Sequence, residues 1–145
     1  MNITYSNANS NDIEPIFRFC EKLINDYEQV ESIDYPSVIR WVRQKIEASI
    51  REYTVIYADG EKAGYYHFYR NDDGIYEIDD LYIFPEYQNQ GIGSTVMIKC
   101  CSSVDEPVIL YVFIANKRAI SLYEKLGFKV VKTIRSSRYI MQRNK

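Results

Sequence analysis

A pair of glycines that could open the backbone to a phosphate group lies near the middle of the chain. Gly91 and Gly93 stand in QNQGIG, between an apolar and acidic stretch and a segment with a helical pattern. The first turn of a helix has unpaired N–H groups and a partial positive charge, and a glycine has no Cβ to hold a phosphate oxygen away from them. The pair predicts a phosphate or pyrophosphate site, although the same glycines would also permit a tight turn.

Two common phosphate-binding motifs do not fit this segment. A P-loop requires a lysine directly after its last glycine, but Gly93 is followed by Ser94 and Thr95. A dinucleotide-binding fingerprint requires a third glycine three residues after the second, where this chain has Val96. The glycine pair therefore belongs to neither of these classes.

Three carboxylates precede the glycines in the stretch YEIDDLYI. Because side chains alternate along a strand, one face is expected to carry Glu77, Asp79, Leu81 and Ile83. The opposite face is expected to carry Ile78, Asp80 and Tyr82. A carboxylate can remove the proton from an ammonium group, and two neighbouring carboxylates can raise each other's pKa toward neutrality. Glu77 is the first candidate for such a base and Asp79 the second, unless both only line a solvated face or a pocket for a cation.

Two helices and three strands are predicted ahead of the glycine pair. Apolar residues at helical spacing from Ile13 to Tyr27 predict the first helix, which follows N-cap candidates at Ser10 to Asp12. Pro36 suits the first turn of the second helix, whose apolar stripe runs from Ile39 to Ile50 and whose Trp41 is expected to support the core. Two Asp-Gly pairs separate three antiparallel strands, which are expected at Tyr53–Ala58, Lys62–Arg70 and Ile75–Phe84.

Helices and strands alternate after the glycine pair. A helix is expected from Gly91 to Ser103, a buried strand at PVILYVFI, and a helix from Lys117 to Leu126 that Gly127 ends. FKVVKTI and SRYIMQ are expected to form a last strand pair. These elements predict an α/β fold of the α+β type, in which helices flank a mixed, mainly antiparallel sheet. Because the 145 residues contain no linker or repeat, residues 1–145 are expected to form one domain.

Composition argues against several classes of function. The net charge of −2 does not favour nucleic-acid binding, and no apolar run approaches the roughly 20 residues that span a bilayer. Cys20, Cys100 and Cys101 lack metal-site spacing, which indicates reduced thiols in the cytoplasm, with the adjacent pair in the core. His67 is the only histidine and is expected to be a surface or hydrogen-bonded strand residue. No metal site is predicted.

Two motifs, in the expected order and at the expected separation, resemble one family. QNQGIG at 88–93 is similar to the Q/R-x-x-G-x-G/A signature of the GNAT superfamily of acyl-CoA-dependent N-acetyltransferases, and the preceding DDLYIFPEYQ resembles that family's fourth strand. NKRAISLYEKLGF at 116–128 resembles a second segment, with an asparagine, an alanine and Y-x-x-x-G-F. The order of the predicted elements also agrees, so the resemblance covers essentially the whole chain.

The resemblance implies a site for acetyl-CoA as cosubstrate. Main-chain amides from about Gln90 to Ser94, which include Gly91, Ile92 and Gly93, would hold the diphosphate, and Gln88 and Asn89 are also expected to bind the cofactor. The backbone of Leu81, Tyr82 and Ile83 would pair with the pantetheine arm, because in the family this fourth strand splays away from the fifth. Asn116 would contact the same arm.

The resemblance also implies the catalytic roles. Glu77 and Asp79 lie where several family members carry their base. Tyr123 matches a tyrosine that often serves as the general acid for the departing thiolate and that also borders the cofactor, although a packing role for its ring is an alternative. A phenol has an ordinary pKa near 10, so it carries a proton to donate at neutral pH.

The implied activity is transfer of an acetyl group to a primary amine of a small molecule or peptide. Acidic residues in the connection between the first two helices would favour a cationic acceptor, namely Asp26, Glu28, Glu31 and Asp34. A solvated acidic loop explains the same residues. A non-catalytic CoA-binding sensor or partner module, and an unrelated nucleotide-binding domain, are the alternatives. Exposed sheet edges could pair in a homodimer.

Overall fold

The computed structural model describes all 145 residues, which form seven strands and four helices. The strands are β1 (Ile3–Asn7), β2 (Tyr53–Ala58), β3 (Glu61–Arg70), β4 (Tyr76–Ile83), β5 (Val108–Phe113), β6 (Lys129–Ile134) and β7 (Arg138–Arg143). The helices are α1 (Ile13–Tyr27), α2 (Tyr35–Ser49), α3 (Ile92–Ser102) and α4 (Lys117–Lys125). Nowhere does a helix combine the length and the hydropathy needed to span a lipid bilayer. Every helix and strand predicted from the sequence is present.

One sheet contains all seven strands, in the order β1-β2-β3-β4-β5-β7-β6. Neighbouring strands are antiparallel except β4 and β5, which are parallel. Those two strands pair only at Tyr76 with Val108 and at Glu77 with Ile109. Beyond these two pairs β4 and β5 separate, which confirms the expected fold of a mixed, mainly antiparallel sheet with a splayed strand pair.

Helices cover both faces of the sheet, and each layer buries its own core. One core joins α1 and α2 to the sheet through residues such as Phe17, Ile46 and Val55. The other joins α3 and α4 to the opposite face through residues such as Met97 and Phe128. Because β4 and β5 separate between these two layers, the gap between the strands connects one face of the sheet to the other.

A β-bulge in β4 changes which side chains share a face. Tyr65 pairs with Tyr82 and His67 pairs with Asp79, so two residues of β4 oppose the single residue between them on β3. Asp80 lies at this point with a φ of 51°. A Cβ on Gly64 would fall 2.0 Å from the main-chain oxygen of Tyr82, so only glycine permits the close approach of β3 to the bulged strand.

The bulge overturns the simple alternation expected from the sequence. Ile78 packs in the α3 and α4 core together with Leu81 and Ile83, whereas strict alternation would have separated it from them. Asp79 and Asp80 both contact groups from the α1 and α2 side. An extra residue shifts the side-chain alternation by one position, and for this reason the predicted shared face of the carboxylates with Leu81 and Ile83 is wrong.

Two other side chains differ from their predicted surroundings. Trp41 is 61% exposed and does not support the core, because it lies just before the buried Val42 of α2 and off the buried stripe. His67 is only 3% exposed, and neither of its ring nitrogens has a hydrogen-bond partner. It is therefore neither a surface histidine nor a satisfied one. Cys100 and Cys101 are buried in the core, as predicted.

Candidate active site

A cavity with a volume of about 780 Å³ lies at the gap between β4 and β5. Its walls include Leu81 and Ile83 of β4 and Leu110 of β5. One end reaches the start of α3 and the side of α4, and the other end reaches α1 and α2 on the opposite face. The cavity therefore gives two molecules access to one space from opposite faces of the sheet.

The start of α3 offers a run of free main-chain donors to this cavity. Gly91 is the N-cap residue with a φ of 81°, a left-handed conformation that favours glycine. The backbone N–H groups of residues 89–94 donate no hydrogen bond within the protein. Unpaired N–H groups at a helix start attract anions. The QNQGIG segment thus has the geometry of an anion site that opens onto the cavity.

Side-chain hydrogen bonds hold the shape of this loop. Gln88 Nε2 donates to the main-chain oxygen of Ile83 over 2.9 Å, and Gln90 Nε2 donates to that of Glu86 over 3.1 Å. Arg118 of α4 donates to Asn89 Oδ1 over 2.5 Å. Asn89 has a φ of 63°, another left-handed position. Two glutamines of the loop and Arg118 of α4 therefore fix the loop while the N–H groups of residues 89–94 stay free.

The register of β4 directs alternate main-chain groups into the gap. Phe84 N donates to the oxygen of Ala63 on β3 over 2.8 Å. In an antiparallel pair, hydrogen-bonded residues alternate with residues that point away, so Tyr82 faces β3 whereas Leu81 and Ile83 turn their N–H and C=O groups toward β5. Since β5 has moved away at this level, the N–H and C=O of Leu81 and the N–H of Ile83 are available to a ligand, whereas the C=O of Ile83 accepts the hydrogen bond from Gln88.

A compact charged cluster lies at the α1 and α2 end of the cavity. Lys45 Nζ of α2 lies 2.5 Å from Asp79 Oδ2 and 3.6 Å from Asp80 Oδ2. Asp80 also accepts hydrogen bonds from Tyr53 Oη over 2.6 Å and from Cys20 Sγ over 3.2 Å. Both aspartates border the cavity, and the carboxylate of Asp80 is held by side chains from three elements, α1, α2 and β2.

The cluster shifts the pKa of its members in ways that depend on burial and on neighbouring charge. Burial, and then the charge of Asp80, raises the pKa of Asp79, while Lys45 opposes this effect. Burial favours the neutral amine of Lys45, but Asp80 and Asp79 outweigh it and raise the pKa of Lys45. Lys45 is therefore charged at neutral pH, and Asp79 is a stronger base than an exposed aspartate.

Glu77, the first candidate for the base, lies outside the cavity wall. Its side chain is buried, and its Oε1 accepts a hydrogen bond from Asn71 Nδ2 over 3.2 Å. Burial, followed by the nearby charge of Asp79, raises the pKa of Glu77. The structure therefore brings Asp79 to the cavity and leaves Glu77 beside it in the strand.

The second motif brings Asn116 and Tyr123 to the same cavity. Asn116 is the N-cap residue of α4, and its Oδ1 accepts a hydrogen bond from the N–H of Ala119 over 3.3 Å. Burial raises the pKa of Tyr123 to about 12, so the phenol keeps its proton at neutral pH. The ring of Tyr123 also packs edge-on against Phe128 at 6.3 Å. Tyr123 thus both borders the cavity and packs against a core residue.

Sequence reasoning missed several residues of the cavity wall, among them Trp41, Lys45 and Tyr111. The first two lie four residues apart on one face of α2, and Tyr111 alternates with buried neighbours on β5. A lysine next to the buried Ile46 was the one available signal, because a charge at the border of an apolar stripe needs a partner. No group of three or more histidine, cysteine, aspartate or glutamate side chains could hold a metal ion.

Comparison with known proteins agrees with this architecture. The chain matches the family described as Acetyltransferase (GNAT) family over residues 16–128. It is 33% identical over 76 residues to an uncharacterized N-acetyltransferase of Mycobacterium tuberculosis, a match that covers 50% of this chain and 49% of that protein. The matched segment therefore spans about half the length of this curated relative.

Two solved structures have the same fold along their whole length. The PaiA N-acetyltransferase from Thermoplasma acidophilum, in complex with coenzyme A, has a TM-score of 0.73 at 23% identity and 100% coverage of both chains. An N-acetyltransferase from Staphylococcus aureus Mu50 also has a TM-score of 0.73, at 16% identity, over 96% of this chain and 99% of that one. At these identities the similarity concerns the fold. Because the family match covers most of the residues, including both motifs, this chain belongs to the GNAT acetyltransferase family.

Proposed function

We propose that the protein transfers an acetyl group from acetyl-CoA to a primary amine of a small molecule or peptide. The observation that carries the proposal is the free N–H run of residues 89–94, which opens onto a cavity at the gap between β4 and β5. A diphosphate at the start of α3 would place the pantetheine arm in that gap. Related N-acetyltransferases, one of them in complex with coenzyme A, support the same cosubstrate.

Main-chain groups of β4 would hold the pantetheine arm as an added strand. Of the three residues expected to do so, Leu81 and Ile83 have groups that point into the gap, whereas those of Tyr82 are used by β3. The Leu81 N–H is also our candidate for the donor to the oxyanion. Asn116 borders the cavity from the end of β5 and would contact the arm there.

We propose that Asp79 is the base and that Tyr123 is the acid. The ammonium of the acceptor loses a proton to Asp79, directly or through water, and the neutral nitrogen attacks the thioester carbonyl. The carbon–sulfur bond then breaks, and the departing thiolate takes a proton from Tyr123. The nitrogen, which became cationic on attack, releases its extra proton to the Tyr123 phenolate, directly or through water, so that the neutral amide and the phenol are formed. The raised pKa of Asp79 and the protonated Tyr123 support these roles. Glu77, the first candidate for the base from the sequence, remains an untested prediction.

Calorimetry with acetyl-CoA, followed by a turnover screen against a panel of amines, tests the proposal. Acetyl-CoA is expected to bind at least about tenfold more tightly than acetyl-pantetheine, which lacks the diphosphate and its hydrogen bonds to the helix start. Equal affinity for the two compounds, or no binding of either, would contradict the proposed site. Binding without turnover on any amine would favour a CoA-binding sensor or partner module.

Substitutions then separate the catalytic roles. Asp79→Asn and Tyr123→Phe are each expected to lower kcat/KM about 100-fold or more, as expected for loss of a positioned acid or base. Glu77→Gln is expected to lower kcat/KM less than about tenfold, because Glu77 is not part of the cavity wall. Full activity in all three variants would refute this assignment of roles even if the protein is an acetyltransferase.

The cellular compartment is also part of the proposal. All three cysteines are free and buried, which supports a reducing compartment such as the cytoplasm. Pairing of sheet edges in a homodimer remains a prediction that gel filtration with light scattering would test.

A further inference from the structure

Exposed aromatic side chains are concentrated at the α1 and α2 end of the cavity. Trp41 is 61% exposed and Tyr111 is 40% exposed, and both line the cavity. Tyr111 lies on the same sheet face as Phe113, whose ring packs at 6.3 Å from that of Tyr27 on α1. Large aromatic side chains that stay exposed within a cavity are typical of surfaces that bind a ligand.

Each of these two rings has a cation next to it. Lys45 Nζ lies 5.7 Å from the centre of the Trp41 ring, and the guanidinium of Arg138 lies 5.3 Å from the centre of the Tyr111 ring. The cations hold the rings at the cavity wall through cation–π contacts. The remaining wall at this end includes apolar side chains such as Leu23. This part of the cavity is therefore largely apolar.

The charges at this end balance each other. At this end of the wall Lys45 and Arg138 are the cations and Asp79 and Asp80 are the anions, whereas Arg118 and Lys125 line the cavity from α4. Two positive and two negative side chains leave no excess charge to attract a polycation. The acidic side chains between α1 and α2 are absent from the wall, and Asp26, for example, pairs with Lys22 over 2.6 Å. The structure thus does not support the argument for a polycationic acceptor.

We propose that the acceptor is a small monoamine with a flat, apolar body, which places its amino group beside Asp79 and its body against Trp41 and Tyr111. This inference rests on the proposed acetyltransferase function and names the acceptor class of the same site. The cavity of about 780 Å³ must also hold the acyl-pantetheine arm, and this requirement favours a small molecule over a folded partner. Stacking on the two rings supplies affinity without any further charge.

Trp41 is the only tryptophan of the chain, so its fluorescence reports directly on this site. The protein saturated with CoA is titrated with 2-phenylethylamine or with 1,4-diaminobutane, which replaces the ring by a second ammonium. 2-Phenylethylamine is expected to change the emission of Trp41 and to be acetylated with a kcat/KM at least about tenfold higher than that of the diamine.

Variants of the two rings provide the matched comparison. Trp41→Ala and Tyr111→Ala are each expected to lower kcat/KM for 2-phenylethylamine about 5- to 10-fold and that for 1,4-diaminobutane less than about twofold. Trp41→Phe, which keeps an aromatic ring, is expected to retain most of the kcat/KM that Trp41→Ala loses. Val131→Ala is the control, because Val131 is an exposed apolar residue that does not line the cavity. It is expected to leave kcat/KM unchanged for both amines.

The outcomes distinguish this inference from the proposed function. Equal or better use of the diamine, preference for a peptide amine, or the same loss for both amines in the ring variants would overturn the inference while leaving acetyl transfer in place. Failure of acetyl-CoA to bind, by contrast, would remove the proposed function first.

Discussion

The buried imidazole of His67 is expected to lower the stability of the folded protein in acid. The ring is stacked between Tyr53 at 4.5 Å and Tyr69 at 4.0 Å, and neither nitrogen has a hydrogen-bond partner. Burial lowers the pKa of His67 from 6.5 to about 4, while Asp79 favours the charged ring and Lys45 opposes it. The folded protein therefore keeps this ring neutral where the unfolded chain protonates it.

The sign and size of the effect follow from proton linkage. The unfolded chain binds more protons than the folded protein between pH 6.5 and pH 4, so the free energy of unfolding falls as the pH falls through this range. With a pKa of about 4 in the folded state, His67 is expected to lower the free energy of unfolding by about 2.5 kcal/mol when the pH falls from 7.5 to 4.5. Carboxylates titrate in the same range, so a matched variant is needed to isolate this contribution.

His67→Phe is that variant, because phenylalanine keeps a flat ring between the two tyrosines and has no group to protonate. At pH 7.5 the two proteins are expected to have similar stability, since no hydrogen bond of His67 is lost. At pH 4.5 the variant is expected to be more stable by about 2.5 kcal/mol. Urea unfolding at the two pH values measures this difference.

A direct titration provides the second test. Because the chain contains one histidine, the imidazole signals in a proton NMR titration belong to His67 alone. A midpoint near 6.5, or a parallel loss of stability by the two proteins on acidification, would refute the reasoning.

Other expected outcomes follow from the same structure. Lys45→Met is expected to lower the free energy of unfolding by about 2 kcal/mol at pH 7.5, because it leaves a partly buried carboxylate pair without its cation. The loss is expected to be smaller at pH 4.5, where protonation of the pair relieves the repulsion between its two charges. Urea unfolding measures both values, and Lys22→Met, which removes an exposed ion pair, is expected to show no such pH dependence. Gly64→Ala would bring a Cβ to 2.0 Å from a main-chain oxygen of β4 and is expected to lower stability by more than about 3 kcal/mol, as thermal unfolding would reveal. In a pH–rate profile, kcat/KM is expected to rise as Asp79 loses its proton, at a pH above the ordinary pKa of an aspartate. It is then expected to stay level past pH 9, because Tyr123 has a pKa of about 12 and keeps its proton. A decline between pH 7 and pH 9 would contradict the role of Tyr123.

Local patterns were sufficient to predict the elements and the donor half of the site. The helix start with Gly91 and Gly93, the turn with Gly60 and the stop at Gly127 are encoded in adjacent residues, because main-chain conformation depends first on neighbours in sequence. Gly60, Gly91 and Gly127 each have a positive φ, including 93° at Gly127. The two motifs resembled one family for the same reason, since each is a short contiguous segment.

The acceptor half depends on contacts between distant parts of the chain. Lys45 meets Asp79 across 34 positions, and Cys20 meets Asp80 across 60. No spacing rule indicates such pairs, because they arise only when α1 and α2 pack on the sheet. The bulge that turns the two aspartates to the same side likewise depends on how β3 and β4 approach each other at Gly64.

By itself, the sequence determined the order of helices and strands, the free donors at the start of α3 and the membership of a family, because each of these is written in contiguous residues. Only the tertiary structure decided that Asp79, rather than Glu77, borders the cavity, that its charge is balanced by Lys45, and that Trp41 is a wall residue. The physical reason is that strand separation, a one-residue bulge and helix packing set which side chains meet, and those three features exist only once the chain has folded.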